Sequence, residues 1–201
     1  MYRAVVIGVF AMVVVLIATD LMRRLLSRKA QFPFREAVRG GVLLRLFRIC
    51  VNVAGGVCLA AATVTGFAAV LANTHTLGGY LLMAHVTAAG GFAGAALAVA
   101  VLWVSRSWFM KADWERVAEG KKHSSASVSL AVLLRKSFFW IALASAVPTL
   151  ASALLAMFPI ASPAQQQELL QVHRISALAL VAGSVMFAYC ALAAAWEERK
   201  G

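Results

Sequence analysis

Residues 79–104 read GYLLMAHVTAAGGFAGAALAVAVLWV, an unbroken apolar run with no Asp, Glu, Lys or Arg. The hydrocarbon core of a bilayer is about 30 Å thick, and about 20 helical residues cross it. Apolar stretches of the same kind lie at about 4–17, 46–71, 130–158 and 169–196. The sequence therefore predicts an all-α integral membrane protein with five transmembrane helices.

The composition agrees with a membrane chain. Of 201 residues, 62% are hydrophobic and 13% are charged, whereas about a quarter of a soluble domain is charged. The first stretch lacks a small-x-small cleavage pattern and is followed at once by Asp20-Leu-Met-Arg-Arg24, so we expect a retained anchor. We predict a transmembrane anchor with a basic cytoplasmic segment at 1–45 and a four-helix domain at 46–201.

The basic residues lie mainly on one side of the predicted membrane. The formal net charge is +11, and Lys and Arg are concentrated in 23–48 and 106–136, which link spans one to two and three to four. The other links, 73–78 and 161–167, contain neither. The positive-inside rule then places the N-terminus outside the cell and the C-terminus in the cytoplasm. Residues 21–45 would lie on the membrane as an amphipathic helix or form a solvated linker.

One histidine interrupts the apolar run near the outer end of span three, and another does so in span five. These two spans should run in the same direction. At about 1.5 Å per residue, His85 and His173 both lie within roughly 10 Å of the outer boundary. An ionisable side chain in hydrocarbon usually marks a functional site. Neutral imidazoles at matched depth on two helices are what a haem iron with two axial histidines requires. The alternative for each is a hydrogen-bonded packing residue.

Other residues near the same level are candidate contacts of such a haem. Arg174 could pair with a haem propionate or extend to the interface as a solvated arginine. His75 is expected to face solvent or contact a propionate rather than ligate iron, and His123 is expected in a cytoplasmic loop. Met83 and Met157 are alternative axial ligands, although apolar packing explains both.

Further features admit both a functional and a structural interpretation. Small residues such as Gly66 and the Gly90-x-x-x-Gly94 pair would let a flat ligand approach the backbone or let helices pack closely. A quinone pocket near the inner side could use four residues, or these could anchor the helices at the interface. They are Asn52, Lys136, Phe139 and Trp140.

Three stretches of this sequence resemble the cytochrome b561-like superfamily of bacterial membrane cytochromes b. They are Thr65-Gly-Phe67 with 78–86 (GGYLLMAHV), Phe139-Trp140 with Pro148 and 157–159 (MFP), and 169–178 (LLQVHRISAL). The superfamily includes formate dehydrogenase gamma subunits and the cytochrome b subunits of nickel-iron hydrogenases. The resemblance covers about 43–196, and it implies a multi-pass protein of a bacterial inner membrane with its N-terminus in the periplasm and its C-terminus in the cytoplasm.

The resemblance implies a four-helix core that carries b haems and passes electrons between quinone and a partner redox protein. It implies that His85 and His173 are the axial pair. Where a second haem's histidines are often found, this chain has Arg48-Ile-Cys-Val-Asn52 and Phe187-Ala-Tyr189. Only one haem b is then expected, and it is non-covalent because the chain has no C-x-x-C-H motif.

The leading expectation is an electron-transfer subunit of an oxidoreductase complex rather than a self-contained enzyme. It would relay electrons between the quinone pool and a periplasmic multihaem cytochrome or oxidoreductase subunit. The alternatives are a haem-free anchor or assembly subunit and a transporter, and the scarcity of acids in the spans argues against the transporter. No nucleic-acid partner is expected, because no aromatic-basic binding module is present.

Overall fold

The computed structural model describes residues 2–26, 42–71, 78–111, 114–115, 126–158 and 161–197. Within these residues the chain forms five long helices and a 3-10 turn at Val104–Arg106. The helices are α1 (Tyr2–Leu26), α2 (Val42–Leu71), α3 (Gly79–Trp103), α4 (Ala126–Met157) and α5 (Pro163–Glu197). All five are long and apolar enough to cross a membrane. The prediction of an all-α protein with five transmembrane helices is confirmed.

Helix α5 begins six residues before the apolar run predicted at Leu169. Pro163 stands at its first position, where a missing N–H matters least. The Ser162 backbone N–H donates to Gln165 Oε1 at 2.8 Å, and the Gln165 N–H donates to Ser162 Oγ at 3.4 Å. This reciprocal pair is a capping box. It extends α5 into a polar turn that hydropathy alone assigns to the connection.

Helix α1 also extends beyond its predicted end at Ile17, to Leu26. Asp20 therefore lies inside the helix rather than after it, and the Tyr189 hydroxyl of α5 donates to its carboxylate. The surface placement predicted for 21–45 falls mostly on 27–41, outside the described residues. Helix α4 continues through Pro148 with no unwound turn.

Most large apolar side chains of the helices are exposed, which is the arrangement a lipid environment favours. Val14, Leu43, Leu97 and Val101 are each more than half exposed. The buried core is small and consists mainly of Val, Leu and Ala with Phe139. A soluble protein rarely presents such continuous apolar surface. The exposed faces therefore support contact with membrane lipid.

Helices α2 and α3 pack closely through small residues, in antiparallel register. A Cβ atom added at Gly55 would lie 3.0 Å from Ala95 Cβ, and one added at Gly91 would lie 2.7 Å from Cys58 Sγ. At Gly90 and Gly94 an added Cβ would meet nothing within 4 Å. The small residues that α3 uses against α2 are therefore Gly91 and Ala95, and not the Gly90-x-x-x-Gly94 pair.

The chain separates into two compact units. The first contains α2, α3, the Val104–Arg106 turn and residues 143–181. The second contains α1, the described residues of 107–142 and those after 181. Helices α4 and α5 contribute residues to both. The predicted division of the chain at residue 45 stays a prediction.

Candidate functional site

The first unit brings His85 of α3 and His173 of α5 together. Their ring centroids are 6.3 Å apart, and the ring planes are inclined by 76°. Both side chains are half-buried. The two residues are 88 positions apart in the sequence, so only the packing of α3 and α5 makes them neighbours. The structure thus pairs the two histidines on which the sequence prediction rests.

Helix α4 holds the His173 ring through a backbone carbonyl. The Nδ1 atom of His173 lies 3.0 Å from the Thr149 carbonyl oxygen. A carbonyl oxygen can only accept, so Nδ1 must carry the proton. In the neutral ring the proton-free nitrogen is then Nε2, whose lone pair is available to a ligand.

Helix α2 holds the His85 ring through the Thr65 hydroxyl. The Thr65 Oγ1 atom lies 3.0 Å from His85 Nδ1 and 2.7 Å from the Ala61 carbonyl oxygen of its own helix. The hydroxyl has a single proton, and the carbonyl cannot donate, so the hydroxyl donates to Ala61. Thr65 therefore accepts from Nδ1–H of His85. In the neutral state these contacts favour the same tautomer for both imidazoles, with the proton on Nδ1 and none on Nε2.

A glycine on α2 makes room for the His85 ring. A Cβ atom at Gly66 would lie 3.0 Å from His85 Cε1 and 3.5 Å from Nδ1. Any side chain at this position would press on the imidazole and move it away from Thr65. Gly66 and Thr65 together thus fix where the His85 ring lies and how it is turned.

Buried hydroxyl groups connect α4 to α5 beside His173. Thr149 is only 7% exposed, whereas Ser176 of α5 is half-buried. The Thr149 Oγ1 atom lies 2.8 Å from Ser176 Oγ and 2.7 Å from the Ser145 carbonyl oxygen. Because buried hydroxyls need partners, this network fixes the register of α4 against α5. It thereby fixes the position of the Thr149 carbonyl, which accepts the hydrogen bond from His173 Nδ1–H.

The separation of the two rings can be compared with that of two imidazoles on one metal. A ligating imidazole nitrogen lies about 2 Å from its metal, so two imidazoles on opposite sides of one metal have ring centres roughly 6 Å apart. The observed 6.3 Å agrees with this separation, and it also lies within the range of a direct edge-to-face contact between two rings. Across the described residues, no cluster of three or more His, Cys, Asp or Glu side chains could hold a bare ion. Two protein ligands suit a macrocycle such as haem, which occupies the remaining positions itself.

The other predicted haem contacts are exposed side chains or lie outside the described residues. Arg174 has an exposed side chain on α5, next in sequence to His173. Met83 and Met157 are 68% and 57% exposed, as is typical of lipid-facing side chains. His75 and His123 lie outside the described residues.

In the second unit, aromatic residues line an open pocket of about 390 Å³. Its lining residues are Trp108, Phe109 and Trp140. The Lys136 ammonium donates to the Trp108 carbonyl at 3.0 Å, and the Trp140 indole N–H donates to the Ser107 carbonyl at 2.9 Å.

Of the predicted quinone contacts, two belong to this pocket or its rim, namely Lys136 and Trp140. Phe139 is only 5% exposed and packs against Phe187, so it is a core residue. Asn52 is an exposed residue of α2, in the first unit.

Sequence reasoning did not identify the partners that orient the two histidines. Thr65 and Ser176 fall within stretches that carry the superfamily resemblance, but no contact with a histidine is predicted for them, and no role is predicted for Thr149. Of the three, only Ser176 is close in sequence to a histidine, since it lies three residues after His173. The carbonyl of Thr149 carries no sequence signal, because every residue has one.

Comparisons with family models, with curated proteins and with solved structures found no match to this chain.

Proposed function

We propose that this chain is a membrane cytochrome b, an electron-transfer subunit that holds one non-covalent haem b between His85 and His173. The observation that carries the proposal is the geometry of this pair. The centroids are separated by the distance that two imidazoles on one metal require. Each ring also has its Nδ1 atom engaged by the protein, which leaves Nε2 as the ligating atom.

The roles of the chain's own residues follow from their contacts. The Thr65 hydroxyl and the Thr149 carbonyl accept hydrogen bonds from the two Nδ1–H groups. These hydrogen bonds fix the tautomer and make each imidazole a stronger electron-pair donor to a metal. Gly66 keeps the ring of His85 within reach of Thr65. Arg174 would pair with a propionate, and His75 is a second candidate for that role. A bound haem would supply one-electron chemistry, with its potential set by these ligands and by burial.

The charge distribution and the superfamily resemblance suggest the physiological setting. We place the histidine pair near the periplasmic face of a bacterial inner membrane, because the basic connections belong in the cytoplasm. There the chain would relay electrons between the quinone pool and a periplasmic multihaem cytochrome or oxidoreductase subunit. The aromatic pocket of Trp108, Phe109 and Trp140 is the candidate site for a quinone ring, since flat conjugated rings stack on indole.

A haem-free anchor or assembly subunit is the second candidate function. It is favoured by the surface of α3, where Gly90 and Gly94 have open space beyond them and Leu97 and Val101 are 71% and 83% exposed. Small residues on an exposed transmembrane face allow another helix to approach closely. Under this alternative the purified chain contains no haem.

The decisive test measures haem per chain and the absorption spectrum of the purified protein. We expect one haem b per chain in a pyridine haemochrome assay, with low-spin Soret and alpha bands. His85→Ala and His173→Ala should each abolish the low-spin spectrum, because either change removes an axial ligand.

His123→Ala is the matched control, since it removes an imidazole that the proposal does not use, and it should leave the spectrum unchanged. A full b-type spectrum in either of the first two variants would disprove the axial assignment. Two haems per chain would show that further ligands exist. A wild-type chain without haem would favour the anchor subunit.

A further inference from the structure

The connection that follows α3 exposes a cluster of large apolar side chains. We call the described residues of 107–115 the aromatic segment. Trp108 and Met110 are each 60% exposed. Trp114 is 57% exposed and Phe109 is 36% exposed. The rings of Phe109 and Trp114 stack, with centroids 6.5 Å apart and planes inclined by 26°. Exposed apolar groups that adjoin one another in this way mark a surface that contacts a partner or a membrane.

Helix α4 holds the beginning of the aromatic segment. The Lys136 ammonium donates to the Trp108 carbonyl at 3.0 Å. The Trp140 indole N–H donates to the carbonyl of Ser107 at 2.9 Å, and Ser107 is only 7% exposed. The rings of Trp108 and Trp140 also meet edge to face, with centroids 5.8 Å apart. The aromatic segment therefore lies against α4 at the level of residues 136–140.

The apolar span of α4 places this level near the boundary between hydrocarbon and headgroups. The span covers Val132–Met157, which is 26 residues and thus about 39 Å of helix. A hydrocarbon core of about 30 Å leaves about 4–5 Å of a centred span among the headgroups at each end. Lys136 is four residues after Val132, about 6 Å along the helix. Side chains exposed at this level therefore face lipid rather than bulk water.

The residue types of the aromatic segment are those that the headgroup layer favours. Tryptophan is enriched at membrane interfaces because its ring is apolar and its indole N–H is polar. Lys111 is an exposed residue between Trp108 and Trp114. The whole link 106–136 contains seven Lys or Arg against three Asp or Glu. Its excess of positive charge is complementary to anionic lipid headgroups.

We propose that the aromatic segment is an interfacial membrane anchor. Its four large apolar side chains lie among phospholipid headgroups, and Lys111 contacts anionic headgroups. Phospholipid is the occupant of this surface because the segment lies beside a membrane span and carries the matching charge. The Ser107 and Trp108 carbonyls transmit the depth of the segment to α4. This anchor goes beyond the proposed electron transfer, since it requires neither haem nor quinone.

Quenching of Trp114 fluorescence by brominated phospholipid tests the anchor. The full chain is reconstituted into vesicles of defined phospholipid without quinone. Trp114→Phe keeps a ring that can stack on Phe109, so the difference between the wild type and this variant isolates the Trp114 emission. We expect bromines near the headgroup end of the acyl chains to quench this emission more than bromines near the chain ends. Acrylamide, a quencher dissolved in the water, should have little effect.

Three results of this measurement would overturn the proposal. Quenching by acrylamide without quenching by brominated lipid would place the aromatic segment in water. Quenching by neither would show that protein, such as a second copy of the chain, covers it. Strongest quenching by bromines near the chain ends would place Trp114 in hydrocarbon. If Trp114→Phe does not fold, as judged by its elution profile and circular dichroism, Trp108→Phe replaces it in the same measurement.

Lipid preference tests the role of Lys111. Brominated phosphatidylglycerol should quench Trp114 at an about fivefold lower mole fraction than brominated phosphatidylcholine, the effect of one basic residue near an anionic surface. Lys111→Gln should remove this preference. Lys200→Gln is the matched control, because it removes the same charge near the end of the chain, and it should keep the preference. Equal quenching by both lipids in the wild type, or equal preference in both variants, would overturn the anionic contact.

Discussion

At the scale of single residues, the protein orients both of its paired histidines through contacts at Nδ1. The acceptors differ in kind, since His85 uses the Thr65 hydroxyl and His173 uses the Thr149 carbonyl. A hydroxyl can be removed by mutation, whereas a carbonyl cannot. Thr65 is therefore the position at which the effect of an Nδ1 hydrogen bond can be measured directly.

Thr65→Val should weaken haem binding and raise the reduction potential. The change removes the acceptor for His85 Nδ1–H, which makes the imidazole a poorer donor and destabilises the ferric state relative to the ferrous state. Loss of such an outer contact typically weakens metal binding by about tenfold or more. Haem titration and redox potentiometry would measure both effects.

Two variants make the comparison specific. Thr65→Ser keeps the hydroxyl and should therefore keep the wild-type reduction potential. Thr63→Val removes a hydroxyl that donates only to the Leu59 carbonyl of its own helix at 2.6 Å, so it should leave the potential unchanged. An unchanged potential in Thr65→Val would show that this hydrogen bond does not influence the site.

At the scale of helices, α2 and α3 approach each other closely because glycines lie at their contact points. Gly55 and Gly91 bring the two backbones together, and Gly66 accepts the His85 ring. Whether a glycine on a transmembrane helix serves packing thus depends on whether it lies on the side of the helix that faces a neighbouring helix. Gly56 follows Gly55 directly, yet an added Cβ there would meet nothing within 4 Å.

Gly66→Ala should therefore impair haem binding, while Gly56→Ala should not. The added methyl group at residue 66 would lie 3.0 Å from His85 Cε1, so the ring must shift from its contact with Thr65. At residue 56 the substitution meets open space, and replacing helical glycine with alanine stabilises a helix by up to about 1 kcal/mol. Haem per chain and thermal stability of the two variants would test this difference. Equal haem content in both variants would contradict the steric role of Gly66.

At the scale of the whole molecule, charge asymmetry predicts the direction in which the five spans cross the membrane. The links at 23–48 and 106–136 hold most of the basic residues, and the links at 73–78 and 161–167 hold none. With five spans the two ends of the chain lie on opposite sides of the membrane. The site formed by His85 and His173 would then lie toward the periplasm.

Fusion reporters at the C-terminus test this orientation. Green fluorescent protein fused after Gly201 should fluoresce, because this end is predicted in the cytoplasm, where that reporter folds. Alkaline phosphatase at the same position should be inactive, since it needs the oxidising periplasm. The reverse pattern would place the histidine pair on the cytoplasmic side and contradict the predicted relay to a periplasmic partner.

The sequence by itself determined that five helices are long and apolar enough to cross a membrane. Length and apolar composition are properties of each segment alone, and they do not depend on how the segments pack. It also singled out His85 and His173, since a histidine within such a run is visible without knowledge of its neighbours. It misjudged the beginning of α5, where a capping box extends the helix beyond the apolar residues.

Only the tertiary structure decided which groups meet. The contacts of Thr65 with His85 and of Thr149 with His173 join residues 20 and 24 positions apart on different helices. They depend on how each helix is rotated and shifted against its neighbour, and hydropathy does not specify rotation or shift. For the same reason the sequence could not distinguish Gly91, which contacts Cys58, from Gly90.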